Sequence, residues 1–309
     1  MLRLVISRTL SSLAVLALLI CSVFFLMRFA PGGPFDSERV LPPEIQRQIE
    51  HRYGLDAPVA LQFGRWINCL FRGDLGTSFQ HPDREVWEIL ATAVPHSAAL
   101  GGLALGIALL LGVPLGVLAG STQNHHLDRA IRLLVLTSVS LPGFVVASAL
   151  VAIFAIRLQW LPPALWEGPA HWVLPSVTLM IRPMALITRL VRGSVREALA
   201  KDFVRTALAK GLSFRQALWR HALRNAWIPC IGLLGPIAAH LLTGSFLVET
   251  IFQIPGLGRY FVSAVINRDY GLVMGTTLVF GVLLIAFNAL TEALMGWADP
   301  RIRSQEGRS

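Results

Sequence analysis

Six stretches of this chain are apolar over the length needed to cross a bilayer, and nothing else in the sequence restricts the fold as much. They cover residues 10–27, 98–119, 133–156, 172–191, 226–248 and 272–297. A hydrocarbon core of about 30 Å takes roughly 20 apolar residues at helical rise. Within it every backbone N–H and C=O needs an internal partner, so runs of this kind are expected to be helices. With 54% hydrophobic and 15% charged residues, and apolar residues in blocks rather than at amphipathic spacing, the composition agrees. The expected fold class is an all-α polytopic membrane protein with six transmembrane helices.

The first run follows Arg3 and Arg8, as a signal peptide would. Phe24, Phe25, Leu26 and Met27 stand where a small-residue cleavage site belongs, and Arg28 follows, so the run reads as a retained helix. Ala30-Pro31-Gly32-Gly33-Pro34 then breaks it and opens a polar segment in which 42–55 and 58–71 read as short helices. The expected organisation is an N-terminal span over 1–30, an extramembrane segment over 31–95, a core of five spans over 96–298 and a tail over 299–309. Pro114, Pro142, Pro175, Pro183, Pro229 and Pro236 fall inside spans, which membrane helices tolerate when neighbours satisfy the freed backbone groups. Gly101, Gly102, Gly106, Gly112 and Gly116 allow close helix approach, as in a packed bundle.

A net charge of +9 raises the question of nucleic acid, and the position of the basic residues answers it. The connection between the fourth and fifth spans carries Arg189, Arg192, Arg196, Lys201, Arg205, Lys210, Arg215, Arg220 and Arg224 against Glu197 and Asp202. Basic residues near span ends resist translocation, so this connection is expected in the cytoplasm. Alternation puts both termini and the loop with Arg129 on the same side, and the more acidic segment 31–95 outside. Cys21, Cys69 and Cys230 form no CxxC pair and read as packing residues.

The connection 193–227 is too periodic to be a plain linker. Leu199, Phe203, Thr206, Ala207 and Lys210 recur at helical spacing up to Gly211, a residue suited to a C-terminal cap. Ser213 and Gln216 make a capping-box start for a second helix, with Phe214, Ala217, Leu218, Ala222 and Trp227 broadly on one side. Two helices resting on anionic lipid would look similar. A DNA-binding helix-turn-helix is disfavoured by tethering to spans at both ends. Ala207 and Gly211, four apart, offer a small-residue face for a partner protein.

The run from Phe203 to Ser213, with Arg205-Thr206-Ala207, Lys210-Gly211-Leu212 and Ser213, continues through Arg220-His221-Ala222-Leu223-Arg224-Asn225 to Pro229. It resembles the coupling loop of ABC importer permeases, in the Arg-Thr-Ala form of the peptide-permease branch, which lacks the glutamate of the general motif. Met27-Arg28-Phe29-Ala30-Pro31-Gly32, Gly73-Asp74-Leu75-Gly76, Val248-Glu249-Thr250-Ile251-Phe252, Pro255-Gly256-Leu257-Gly258, Asn267-Arg268-Asp269-Tyr270 and Asp299-Pro300-Arg301-Ile302 extend the likeness over nearly the whole chain. The short connection 158–171 and Leu41-Pro42-Pro43-Glu44 look more like oligopeptide than dipeptide permeases. The resemblance implies a type I ABC importer permease in a bacterial inner membrane. It also implies a second homologous permease subunit, two ATP-binding subunits that use ATP and Mg, and an extracytoplasmic peptide-binding protein that delivers peptide.

In keeping with that expectation, the chain has no GxxxxGK[ST] phosphate loop, no cofactor motif and no catalytic constellation, and is not expected to be an enzyme. His125-His126 lacks the i, i+4 spacing that favours a metal on a helix. Ionisable residues at membrane depth are the pathway or gate candidates: Arg182, His240, Glu249 and Glu292. Arg182 reads equally as a channel charge for peptide carboxylates or as a structural partner of Glu292 or a carbonyl. His240 fits a hydrogen-bonded interior histidine better than a gate. Glu249 and the loop 253–258 fit either capping and turn chemistry or the outer mouth. The same architecture could carry dipeptides, nickel or antimicrobial peptides. An ion-coupled secondary transporter would need an inverted repeat that the sequence does not display, and a non-transporting scaffold leaves the coupling loop without a purpose.

Overall fold

The computed structural model of the chain describes residues 2–30, 44, 48, 51 and 54–298. The short helix expected over 42–55 lies largely outside the described residues, and the tail over 299–309 wholly so. The elements are α1 (Leu2–Phe29), α2 (Val59–Phe71), α3 (Val86–Ser121), α4 (His125–Ser140), α5 (Gly143–Leu150, continued by π-helical turns over Val151–Arg157) and α6 (Pro169–Ala200). After these come α7 (Asp202–Ala209), α8 (Phe214–Ala217, continued by π-helical turns over Leu218–Ala222), α9 (Leu223–Leu242), α10 (Phe246–Ile251), α11 (Leu257–Ile266) and α12 (Tyr270–Ala298). Among the described residues five helical spans meet the length and hydropathy of a membrane crossing, and α4 with α5 makes a sixth.

That sixth span is broken, with a bend of 100° between α4 and α5. Pro142 cannot donate a backbone hydrogen bond and its ring disfavours helical geometry at the residue before it. Leu141 is accordingly extended, at φ −81° and ψ 127°, and Pro142 leads into the new helix. The second departure from expectation is at α3, which begins at Val86, ahead of the expected 98, and runs through Pro95 without interruption. Its early turns carry Val86, Ile89, Leu90 and Ala93 at i, i+3, i+4, i+7, a buried helical stripe in a stretch assigned from the sequence to the extramembrane segment.

The chain forms two compact units, the first made of Met1–His96 and Pro255–Ile285, the second of Ser97–Ile254 and Ala286–Ser309. In the first, the stripe of α3 packs with Leu257, Ala264, Leu272 and Val273, and Ile20 and Phe24 of α1 pack with Met274. Asp269 is fully buried here. It accepts from the Ser78 hydroxyl, from Gln80 N at 3.2 Å and from Leu272 N at 3.1 Å. The last bond caps the start of α12, so Asn267-Arg268-Asp269-Tyr270 is a helix start fastened to the 73–80 turn.

The second unit is built on α3, α6 and α9. Lipid tails are as apolar as leucine, so helix association here relies on close fit rather than on exclusion of water. Gly112, Gly116 and Gly120 form a stripe along α3 against which α6 lies at backbone contact. A Cβ at Gly116 would stand 2.7 Å from Val191 Cβ and 2.8 Å from Thr188 O, and one at Gly112 2.9 Å from Met184 O. Thr188 Oγ1 also donates to Gly112 O at 3.2 Å. A further core joins Leu100, Ala147, Leu174, Val248, Phe252 and Ile254, bringing α5 and α10 onto α3 and α6. The connection after α5 is tied to it by Leu165 N donating to Phe252 O at 2.8 Å.

Candidate functional site

The basic connection between α6 and α9 is a helical turn with a buried side and an exposed one. α6 extends to Ala200, so Leu199 belongs to it, and the single extended residue Lys201 separates it from α7. Val204 and Ala207 are buried and Val204 joins the core of the second unit. Phe203, Arg205, Thr206, Leu208 and Lys210 are exposed. α7 closes with a Schellman cap: Leu212 N donates to Ala207 O at 3.2 Å and Gly211 N to Leu208 O at 2.9 Å, with Gly211 at φ +89°. The turn continues to exposed Ser213, whose hydroxyl accepts from Gln216 N while its own N–H donates to Gln216 Oε1, the reciprocal box that starts α8. Ala217, Leu218 and Ala222 are buried beneath, and Phe214, Arg215, Trp219 and Arg220 face out.

The small-residue face expected from Ala207 and Gly211 is not one surface. Ala207 is turned inward at 6% exposure, and Gly211 lies past the end of α7. What the turn presents instead is a set of large apolar side chains, Phe203, Leu208, Phe214 and Trp219, at 40–61% exposure among Arg205, Lys210, Arg215 and Arg220.

A second constellation escaped sequence reasoning. Asp128 of α4, 3% exposed, is held by three arginines: Arg192 Nε at 2.6 Å and Nη2 at 2.9 Å, Arg196 Nη2 at 3.1 Å, and Arg132 Nε at 3.4 Å. The Arg192 contact is bidentate, the geometry that best uses a guanidinium. Arg192 and Arg196 had been read only as topology signals. The i, i+4 spacing of Asp128 and Arg132 is a local hint of that one pair, whereas nothing local joins Asp128 to Arg192 or Arg196.

The four intramembrane candidates are differently placed. Arg182 on α6 is exposed, and the pairing with Glu292 that was one of its two readings is not seen among the described residues. His240, near the end of α9, is exposed rather than interior, and Glu292 is exposed on α12. Glu249 of α10 is fully buried and accepts from Ser97 Oγ at 2.8 Å. The residues after it have turn and cap geometry, with Ile254 N donating to Glu249 O at 2.8 Å and Gln253 at φ +54°.

Apolar helices packed at backbone contact, with a basic and aromatic helical turn at the junction of two of them, define the class: a multi-pass permease with the type I ABC importer fold. Solved structures agree on the fold. The MetNI methionine ABC transporter in its inward-facing conformations matches with a TM-score of 0.58 at 17% identity, over 69% of this chain and 97% of that one. An amino acid ABC transporter solved with histidines matches with a TM-score of 0.54 at 15% identity, over 67% and 93%.

Residues 112–304 match the family described as binding-protein-dependent transport system inner membrane component, and residues 1–101 match its N-terminal membrane component. The oligopeptide transport system permease proteins OppB of Haemophilus influenzae and of Escherichia coli K12 are each 43% identical over 98% of this chain and 100% of their own length. The dipeptide transport system permease protein DppB of Bacillus subtilis is 40% identical over 98% of both. The chain belongs to the binding-protein-dependent transport system inner membrane component family. It is a transport permease of the inner membrane and not a catalytic enzyme.

Proposed function

We propose that this chain is the B-type channel subunit of an oligopeptide importer. It pairs with a second homologous permease, receives peptide from an extracytoplasmic binding protein, and is driven by two ATP-binding subunits that hold ATP and Mg. Both termini and the α7–α8 turn lie in the cytoplasm. The observation that carries the cargo assignment is the likeness to oligopeptide permeases along their full length. The dipeptide permease of Bacillus subtilis, nearly as similar, keeps dipeptide import as the second reading.

In this proposal Arg205, Thr206, Lys210, Gly211 and Ser213, all exposed, and half-buried Leu212 form the docking surface for an ATP-binding subunit, with Phe203, Phe214 and Trp219 as its apolar contacts. The buried Val204 and Ala207 anchor the turn from below. A push on this surface reaches α6 through Lys201 and reaches α9 through unbroken helix, so approach of the ATP-binding subunits moves both spans and alternates access. Arg182, exposed in the isolated subunit, serves as the channel charge for peptide carboxylates, with His240 and Glu292 beside the pathway and Glu249 behind the outer mouth.

The test is uptake of labelled di-, tri- and pentapeptides by cells with and without the gene, before and after ATP depletion. Loss of ATP-dependent pentapeptide uptake on deletion is expected. Loss of dipeptide uptake alone selects the second reading, and unchanged uptake of all three removes peptide as the cargo.

A further inference from the structure

Within the first unit, the end of α1, helix α2, the 75–79 turn and the start of α12 line an open cavity of about 240 Å³. Its charged lining is one-sided among the described residues: Arg28 and the exposed Arg65 reach it, and none of the described lining residues is acidic. Two polar atoms of lining residues are buried without a hydrogen-bond partner among the described residues, the indole N–H of Trp66 and the amide oxygen of Gln62. They stand four residues apart on α2, on one helical face. Gln62 cannot resolve its need by flipping, because its Nε2 already donates to Leu55 O at 2.9 Å and Ala57 O at 2.8 Å. The Arg28 guanidinium lies over two aromatic rings, 4.3 Å from the centroid of Tyr270 and 5.1 Å from that of Phe24, which holds its charge at the rim of this space.

Buried donors and acceptors in native proteins are paired, with protein or with something bound. Two guanidiniums, an indole N–H and a lone amide oxygen in one cavity are complementary to an anion that carries a hydroxyl donor of its own. The location narrows the source. Arg28 is at the last turn of the apolar stretch Leu10–Phe29, and Phe24, just below, meets Phe63 of α2 at 5.0 Å between ring centroids. Trp66 and Tyr270 are residues of the kind that collect at headgroup depth. A volume of about 240 Å³ is below the usual range for whole-ligand pockets, roughly 300–1,000 Å³, and suits a headgroup whose acyl chains stay outside.

We infer that this cavity binds the headgroup of an anionic phospholipid of the phosphatidylglycerol kind. The phosphate meets Arg28, Arg65 and the Trp66 N–H, and a glycerol hydroxyl donates to Gln62 Oε1. The site is independent of the cargo the permease carries.

The experiment uses the full-length protein, purified in detergent and stripped of lipid, then titrated with phosphatidylglycerol or phosphatidylcholine and read by native mass spectrometry and thermal unfolding. One phosphatidylglycerol should be retained in preference to phosphatidylcholine and should raise the unfolding temperature. Arg65→Gln should weaken its binding about tenfold, as loss of a charged hydrogen bond does. Trp66→Phe keeps an aromatic ring but removes the N–H together with the five-membered ring that bears it, so a folded protein with weakened phosphatidylglycerol binding is expected. Equal retention of the two lipids, or unchanged binding in both variants, overturns the site. Glycerol 3-phosphate binding as tightly as the lipid overturns the lipid source in favour of a soluble anion, and displacement of lipid by a pentapeptide overturns it in favour of a peptide carboxylate.

Discussion

Asp128 takes a carboxylate out of water and leaves its charge to be balanced by arginines from two helices. Removing one partner of such a pair strands the others, so Asp128→Ala should cost about 3 kcal/mol of stability, measured as a lower unfolding temperature of the purified protein. A double-mutant cycle with Arg192→Ala should return a coupling energy above ~1 kcal/mol, because the two side chains share two hydrogen bonds. Gly211 acts through backbone geometry. At φ +89° with open space around its Cα, a side chain meets no neighbour but does meet the left-handed penalty, and Gly211→Ala should cost about 1 kcal/mol. Replacing Gly211 with tryptophan adds bulk to the exposed turn, and should separate ATP hydrolysis from uptake while the protein still inserts. Normal uptake by that variant would remove Gly211 from the docking surface. These residues also show what a sequence can disclose. Gly211 and the Ser213–Gln216 box are local chemistry and were legible within a few positions. The partner of Arg192 is 64 residues away on another helix, and no local pattern points to it.

Among the elements, the apolar blocks reported where the spans are but not where the helices stop. Hydropathy follows the membrane-buried part of a helix, whereas α3 runs on into the first unit, where its stripe from Val86 to Ala93 is covered by protein instead of lipid. Pro95 reads as a boundary in sequence and lies within helix α3, whereas Pro142 does break its span. Gly112 and Gly116 were legible as small residues, but that Gly120 completes the stripe depends on which face meets α6. Gly116→Val would put methyl groups where Val191 and the Thr188 carbonyl already stand, and overpacking should cost about 1–3 kcal/mol, read as reduced yield and earlier thermal unfolding. In the first unit, Asp269→Ala removes the cap of α12 and should cost about 1 kcal/mol or more.

For the whole molecule, two units with separate cores are strung on helices that belong to both, α3 and α12. The return of 255–285 to the first unit is a tertiary event that no block of the sequence reports. The exposed apolar side chains of the α7–α8 turn yield a prediction at this scale: Trp219→Ala and Phe203→Ala together should reduce co-purification of ATP-binding subunits at least tenfold, as loss of interface aromatics does, with the unfolding temperature of the isolated subunit unchanged. The π-helical turns over Leu218–Ala222 join that turn to its span, with Leu223 N reaching back to Leu218 O. A wider ring of this kind holds one residue more than an α turn. It therefore sets an angular phase between the two helices on either side, as an extra tooth does in a gear. Deleting one residue there would leave both helices intact and turn Phe214 by roughly 100° about the common axis relative to α9. The direction in which the turn presents Phe214 is thus indexed by a residue count, and can be reset without touching the exposed face itself.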